Sequence, residues 1–151
     1  MAKTAQRLRE LKCRVHPLGE LTDYKYVVVC SLYEGQYLLS RHRNRDTWET
    51  QGGHIEQGEA PIDTARRELY EESGVKDAEV IPLCDYCGYD DHGFANGVVF
   101  LAAVQQLGEL PESEMLEAKV FAQLPENLTY PQVTPILMEK ARQTLEAYNR
   151  A

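Results

Sequence analysis

Glu68, Glu71 and Glu72 stand at i, i+3 and i+4 of the stretch RELYEESGV, residues 67–75. On a helix that spacing sets three carboxylates on one face, within reach of one another. Like charges so placed cost helix stability. Either the face is simply solvated, or a hard divalent cation sits on it. Mg²⁺ and Mn²⁺ prefer oxygen ligands and keep places for water and substrate phosphate oxygens. The chain carries a formal net charge of -8, so bulk attraction to nucleic acid or an anionic membrane is disfavoured. A bound cation would still let such a protein meet a phosphate.

Other residues invite chemical readings that stay open at this level. Arg41, Arg43 and Arg45 form a basic loop that either contacts phosphates or ends a solvated hairpin. Trp48 either stacks on a base or fills the core. Phe94 and Asn96, in the segment DDHGFANG, are candidates to flank a nucleotide. Cys84-Asp-Tyr-Cys87 has CxxC spacing, but no second CxxC or HxxxH accompanies it. In a strand those two thiols would point to opposite faces.

These groups need a scaffold. A chain of 151 residues, 43% hydrophobic, is long enough for one domain with its own core. The sequence predicts a short helix over 3–12 with Leu8 and Leu11 inward, and a buried strand over Tyr24–Leu32. A turn at Glu34-Gly35 leads to a partner strand, Gln36–Ser40, and residues 51–55 read as a tight turn around a short extended piece. Pro61 suits the first turn of a helix and Gly74 its end, with Ile62, Ala65 and Leu69 as the inward stripe. Val80–Tyr89 and Gly97–Val104 read as paired strands, 119–123 as a short strand, and Pro131–Tyr148 as a last helix. This order predicts an α/β fold, a sheet covered by helices on both faces. No apolar run approaches the roughly 20 residues that span a bilayer, and the N-terminus lacks the apolar part of a signal peptide. A cytoplasmic location with cysteines as thiols is expected.

From Gly53 the chain reads GHIEQGEAPIDTARRELYEESGV. It resembles the Nudix box, GX5EX7REUXEEXGU with U aliphatic, and every fixed position is filled. Seven fixed positions match by chance on the order of once in a billion registers, so the signal is far more specific than a lone GxGxxG. The resemblance implies a single Nudix hydrolase domain over residues 1–151: an α/β/α sandwich with a mixed sheet, the box forming a loop–helix–loop. It implies Mg²⁺ or Mn²⁺ held by Glu68, Glu71 and Glu72 with a carbonyl of Gly52 or Gly53. It also implies that Arg67 holds a catalytic glutamate through its planar fork, that Glu59 supports Arg67, and that Glu68 is the first choice of base. Glu114, in the acidic loop 111–117, looks placed like the extra metal-ligating glutamate of MutT-type members; an exposed acidic loop is the alternative.

The implied reaction is hydrolysis of a nucleoside diphosphate linked to another group. The segment LPEN, residues 124–127, is similar to the one that carries a purine-reading asparagine in MutT-type enzymes, which makes Asn127 a candidate. The main expectation is a nucleoside triphosphate pyrophosphohydrolase acting on substrates such as 8-oxo-dGTP. The alternatives are ADP-ribose or nucleotide sugars and RNA 5′ ends. ADP-ribose pyrophosphatases often carry a proline at the position of Asp91, and dinucleoside polyphosphate hydrolases a tyrosine at that of His92. An isomerase of isopentenyl diphosphate shares the Gly-Gly-His stretch, but usually has a degraded box and an active-site cysteine. A non-catalytic nucleotide-binding module usually loses a box glutamate. The expected partner is a nucleotide-linked small molecule, with no membrane. A homodimer is a candidate assembly, with Val98–Val104 as a strand that could pair across it.

Overall fold

The computed structural model describes the backbone of residues 2–150 and side chains from Gln6 onward. The elements run α1 (Ala2–Glu10), β1 (Lys12–His16), β2 (Tyr24–Tyr33), β3 (Gln36–His42), β4 (Trp48–Glu49), β5 (Gln51–His54), α2 (Pro61–Ser73), β6 (Asp77–Asp90), β7 (Gly93–Gln106), β8 (Met115–Phe121) and α3 (Thr134–Arg150). The strands form one mixed sheet in the order β1-β6-β7-β2-β3-β4, with β5 also on β2 and β8 on β3. All pairings are antiparallel except β2 with β7.

The period-two alternation of β2 and β7 divides the core into two layers. Val27, Val29, Val98 and Phe100 pack with Ala65 and Leu69 of α2. Cys30, Leu32, Val99 and Leu101 pack with Leu137, Met138 and Ala141 of α3. The result is the expected α/β/α sandwich. The expected helix 61–73 is α2, starting on Pro61 and closed by Gly74 at φ 82°, whose N–H donates to Tyr70 O at 2.8 Å. A Cβ at Gly74 would overlap the Glu109 carbonyl, so packing as well as φ requires glycine there.

Several boundaries differ from expectation. The first helix stops at Glu10, and Lys12–His16 becomes an edge strand against Asp85–Tyr89. Strand β8 begins at Met115, earlier than 119, because it lies along β3 from Tyr37 to His42. Gln51–His54, within the expected turn over 51–55, is β5 of the sheet, and DDHGFANG turns at Asp91-His92 alone, with Asp90 ending β6 and Gly93–Gly97 opening β7. Val98–Val104 pairs with β6 on one side and β2 on the other. That strand has no open edge, so the expected pairing across a dimer interface through it is corrected. Cys84 is buried in the α3-side core and Cys87 is half-buried; all four cysteines are free thiols. Among the described residues no helix is long and apolar enough to cross a membrane.

The site is positioned by a fork in the sheet. On one side β2 pairs with β5 through Tyr26–Val29, then with β3 through Ser31–Tyr33. Gln51, fully buried, fills the fork: its Oε1 accepts from Ser31 Oγ at 2.7 Å, and its Nε2 donates to Ser40 Oγ at 2.9 Å and Leu38 O at 3.2 Å. Gln51→Leu keeps the volume but strands these partners, each costing about 1–3 kcal/mol when buried unpaired. Urea unfolding is expected to show a loss of at least that size; a variant as stable as the parent would refute the role given to this side chain.

Candidate functional site

Beyond the fork, β5 runs beside α2. Ser40 Oγ donates to Glu72 O at 2.7 Å, and Gly52 N donates to Glu72 Oε1 at 2.8 Å. The last turn of α2 is thus tied to two strands. Gly53 has no side chain where Glu68 approaches: a Cβ there would lie 2.5 Å from Glu68 Oε1. Gly53 thus lets the helix edge come down on bare backbone, while a Cβ at Gly52 would overlap the Val27 carbonyl of β2.

Arg67 organises that edge. Its Nε and Nη2 donate to the two oxygens of Glu59 at 2.8 and 3.0 Å, a bidentate pairing. Its Nη1 donates to Glu68 Oε1 at 2.9 Å and Glu71 Oε2 at 3.4 Å. Thr64 Oγ1 also donates to Glu59. These bonds hold the Glu59 carboxyl down at about 2, the Arg67 fork first and the Thr64 hydroxyl second. Neighbours on the same helix behave oppositely. Burial pushes Glu68 up against the pull of Arg67. Burial also pushes Glu72 up to about 8; the Gly52 N–H opposes this, while Glu68, Glu49 and Glu114 add repulsion. Such opposed shifts between adjacent carboxyls mark functional sites more often than solvated faces.

The donor set fits a hard divalent cation: several carboxylate oxygens crowd a half-buried edge, and burial, with repulsion from its neighbours, raises the Glu72 carboxyl to about 8. Among the described residues no three acidic groups already converge as ligands. Glu68 and Glu71 lean on Arg67, and Glu72 on Gly52. A cation would take these carboxylates over from their hydrogen-bond partners.

The expected substrate residues are mostly engaged elsewhere. Arg41 donates to Glu117 Oε1 from Nε and Nη2, and Arg45 Nη1 to Glu49 Oε1 at 2.9 Å. Trp48 is buried, its ring edge-on to Phe121 at 4.8 Å. Asn127 Nδ2 donates to Asp46 O and Asn96 Nδ2 to Thr22 O. Phe94 is 75% exposed near the β6–β7 turn, and Arg43 is exposed. Glu114 has an 85% exposed side chain with His42 Nε2 at 3.6 Å, and it contributes to the repulsion on Glu72.

A cavity of about 400 Å³ opens beside Gly52 and Gly53, floored by Tyr26 and Tyr86 and bounded by α1 and Tyr130. That size suits a small ligand. None of the seven expected substrate residues lines it, and neither does a cysteine. Glu49, buried on its wall, accepts from Arg45 and from Thr129 Oγ1. The sequence reading missed Glu49; its partner Thr129 is 80 residues away and no local pattern announces it. A separate depression of about 530 Å³ at the end of α2 touches none of Glu68, Glu71, Glu72, Gly52 or Gly53.

The family model described as NUDIX domain matches residues 23–138. The RNA pyrophosphohydrolase of Bartonella clarridgeiae is 43% identical over 68 residues, 38% of this chain and 39% of that protein. That of Bartonella bacilliformis is 46% identical over 44 residues, 28% of this chain and 26% of that protein. The chain thus spans well under half the length of the curated relatives it matches. A Bacillus subtilis pyrophosphohydrolase superposes with a TM-score of 0.72 at 22% identity, covering 89% of this chain and 90% of that one. The NUDIX domain of Shewanella oneidensis NrtR, solved with ADP-ribose, gives 0.66 at 21% identity over 83% and 90%. At these identities the superpositions speak for the fold.

A raised carboxyl binds its proton more tightly when folded, so its contribution to stability is lost as pH rises. Without divalent cation, the melting temperature is therefore expected to fall between about 4.5 and about 8 on account of Glu72. Glu72→Gln should flatten that decline, and millimolar Mg²⁺ should offset it in the parent only. An identical pH profile in parent and variant would contradict the shift.

Proposed function

The chain belongs to the Nudix family, and from that premise we propose that it hydrolyses the pyrophosphate linkage at the 5′ end of RNA with a divalent cation at the α2 carboxylates. The observation carrying the substrate class is the likeness to curated RNA pyrophosphohydrolases, at 43% identity over 68 residues. The geometry supports the reaction class. The oxidised-nucleotide alternative keeps the same edge, but its expected base reader Asn127, whose Nδ2 donates to Asp46 O, does not line the cavity beside that edge.

Glu68, Glu71 and Glu72, with a carbonyl of Gly52 or Gly53, would hold Mg²⁺ or Mn²⁺. When bound, such a cation neutralises phosphate oxygens and lowers the pKa of attacking water. Glu68 is the proposed base: its carboxylate takes the proton of the water that attacks phosphorus. Arg67 orients Glu68 through Nη1 at 2.9 Å, and Glu59 fixes Arg67 at two points. The α-phosphorus gains the hydroxyl oxygen as its bond to the bridging oxygen breaks, leaving a 5′ monophosphate on the RNA and releasing pyrophosphate, which carries away the bridging oxygen. The cavity beside Gly52 and Gly53 would receive the base.

A panel of 5′-triphosphorylated RNA, nucleoside triphosphates including 8-oxo-dGTP, ADP-ribose and nucleotide sugars, with Mg²⁺ and with Mn²⁺, tests the substrate class by product identity. RNA is expected to give the highest kcat/KM; a higher value for 8-oxo-dGTP would return the assignment to the other reading. Glu68→Gln is expected to lower kcat by about 10²-fold or more with little change in melting temperature. An unaltered kcat would remove Glu68 from its role.

A further inference from the structure

The chain's charge is unevenly spread. Lys3, Arg7, Arg9, Lys12 and Arg14 fall in the first fourteen residues against Glu10 alone, in a protein of net charge -8. The structure sets this basic segment at the outer end of the cavity: Arg7, Leu8 and Leu11 line it together with Gly88 and Asp90. Arg7 is held there by one nitrogen. Its Nε donates to Asp90 Oδ2 at 2.9 Å, and the side chain remains 56% exposed. Both Asp90 oxygens are engaged, since His92 N donates to its Oδ1 at 2.8 Å. The pair thus presents the terminal nitrogens of a positioned guanidinium at the rim.

Next to the rim lies a row across three strands. Lys12 pairs with Tyr89 and Tyr89 with Phe94. The guanidinium of Arg14 lies 5.2 Å from the Tyr89 ring centroid, and Phe94 is 75% exposed. Tyr89 lies between the cavity residues Gly88 and Asp90 on strand β6, so its side chain and the row it belongs to face the other side of the sheet, reached from the cavity over the edge of β1. Two cations on β1 beside two aromatic rings on β6 and β7 suit a single strand of nucleic acid: cations meet phosphates, and rings accept bases without sequence preference. The acidic groups facing this region are Asp90, already paired with Arg7, and the neighbouring Glu10 and Asp91.

We propose that Arg7 at the cavity rim and the Lys12–Tyr89–Phe94 row with Arg14 form a track for the nucleotides downstream of the RNA 5′ end. This rests on the RNA 5′-end reading above and adds what would separate an RNA from a mononucleotide at the same catalytic edge. The first base occupies the cavity, Arg7 meets a following phosphate, and the strand continues over the edge of β1.

The test compares a 5′-triphosphorylated RNA of ten nucleotides with a nucleoside triphosphate, using the parent, Arg7→Gln and the double variant Lys12→Glu/Arg14→Glu. The ratio of kcat/KM for RNA over mononucleotide is expected to drop roughly tenfold or more in each variant, mostly through KM for RNA. The slope of log KM against log salt should weaken by about 0.7 for each phosphate that a variant no longer neutralises. An unchanged ratio overturns the track, and so does an equal loss on both substrates. Fluorescence anisotropy with the same labelled RNA, under Ca²⁺, reads binding without turnover. Binding that is strong in the parent and weak in the double variant supports the track even where the RNA is not cleaved, an outcome that would sink the reaction assignment instead. Equal binding by parent and double variant, with matching melting temperatures, overturns the track alone.

Discussion

A strand can offer each backbone group to one neighbour only, and β2 changes neighbours in mid-course. It leaves β5 after Val29 and joins β3 at Ser31. Such a fork leaves buried polar groups that need partners. One amide side chain supplies them: Gln51 closes the gap between Ser31, Ser40 and Leu38 O. Ser40 then reaches the carbonyl of Glu72, while the residue after Gln51 offers its N–H to the carboxylate of the same Glu72. The helix edge is therefore located from its backbone and its side chain at once. Neither bond would form if β5 and β3 ran together as one continuous partner of β2.

On that frame the electrostatics follow from unequal supply. Glu59, Glu68, Glu71 and Glu72 share one nearby guanidinium, and Arg67 gives its best geometry to Glu59. Glu59 becomes a strong anion and a rigid brace. Glu72, pushed up first by its burial and then by repulsion from Glu68, Glu49 and Glu114, keeps its proton near neutrality. The structure is stable because Arg67 and the Gly52 N–H partly neutralise the edge. The remaining deficit is what a divalent ion can fill, and this makes affinity for the ion and the protonation of Glu72 two sides of one balance.

What could be read from the sequence was what depends on near neighbours. Pro61, Gly74 and the apolar stripe define α2 by local rules, and its observed limits are those expected. The carboxylates share an edge because helical spacing requires it. Contacts between residues far apart in the chain were not legible in the same way. Arg41 belongs to Glu117, Trp48 to Phe121, Asn127 to Asp46 and Glu49 to Thr129. Each of these contacts depends on the return of β8 or the 127–129 segment to the β3–β4 region. No spacing within a short window encodes that return. The edge strand β1 was hidden likewise: Lys12–His16 alternates exposed and half-buried residues too weakly to announce a strand until β6 is beside it.

Net charge is also a property that loses meaning with distance. A value of -8 argues against polyanions only if the ligand feels the whole molecule. At physiological ionic strength exposed charges are screened over about 8 Å, so a strand lying on β1 responds chiefly to Arg7, Lys12, Arg14 and their immediate acids. The acidic body then acts in another way. The carboxylates at the α2 edge repel phosphate, so a cation has to be present there before phosphate can enter. One surface would meet phosphate directly with side-chain cations and the other only through a metal ion. An RNA end, with its diphosphate linkage followed by spaced single charges, matches that order, whereas a free nucleotide presents only the first part.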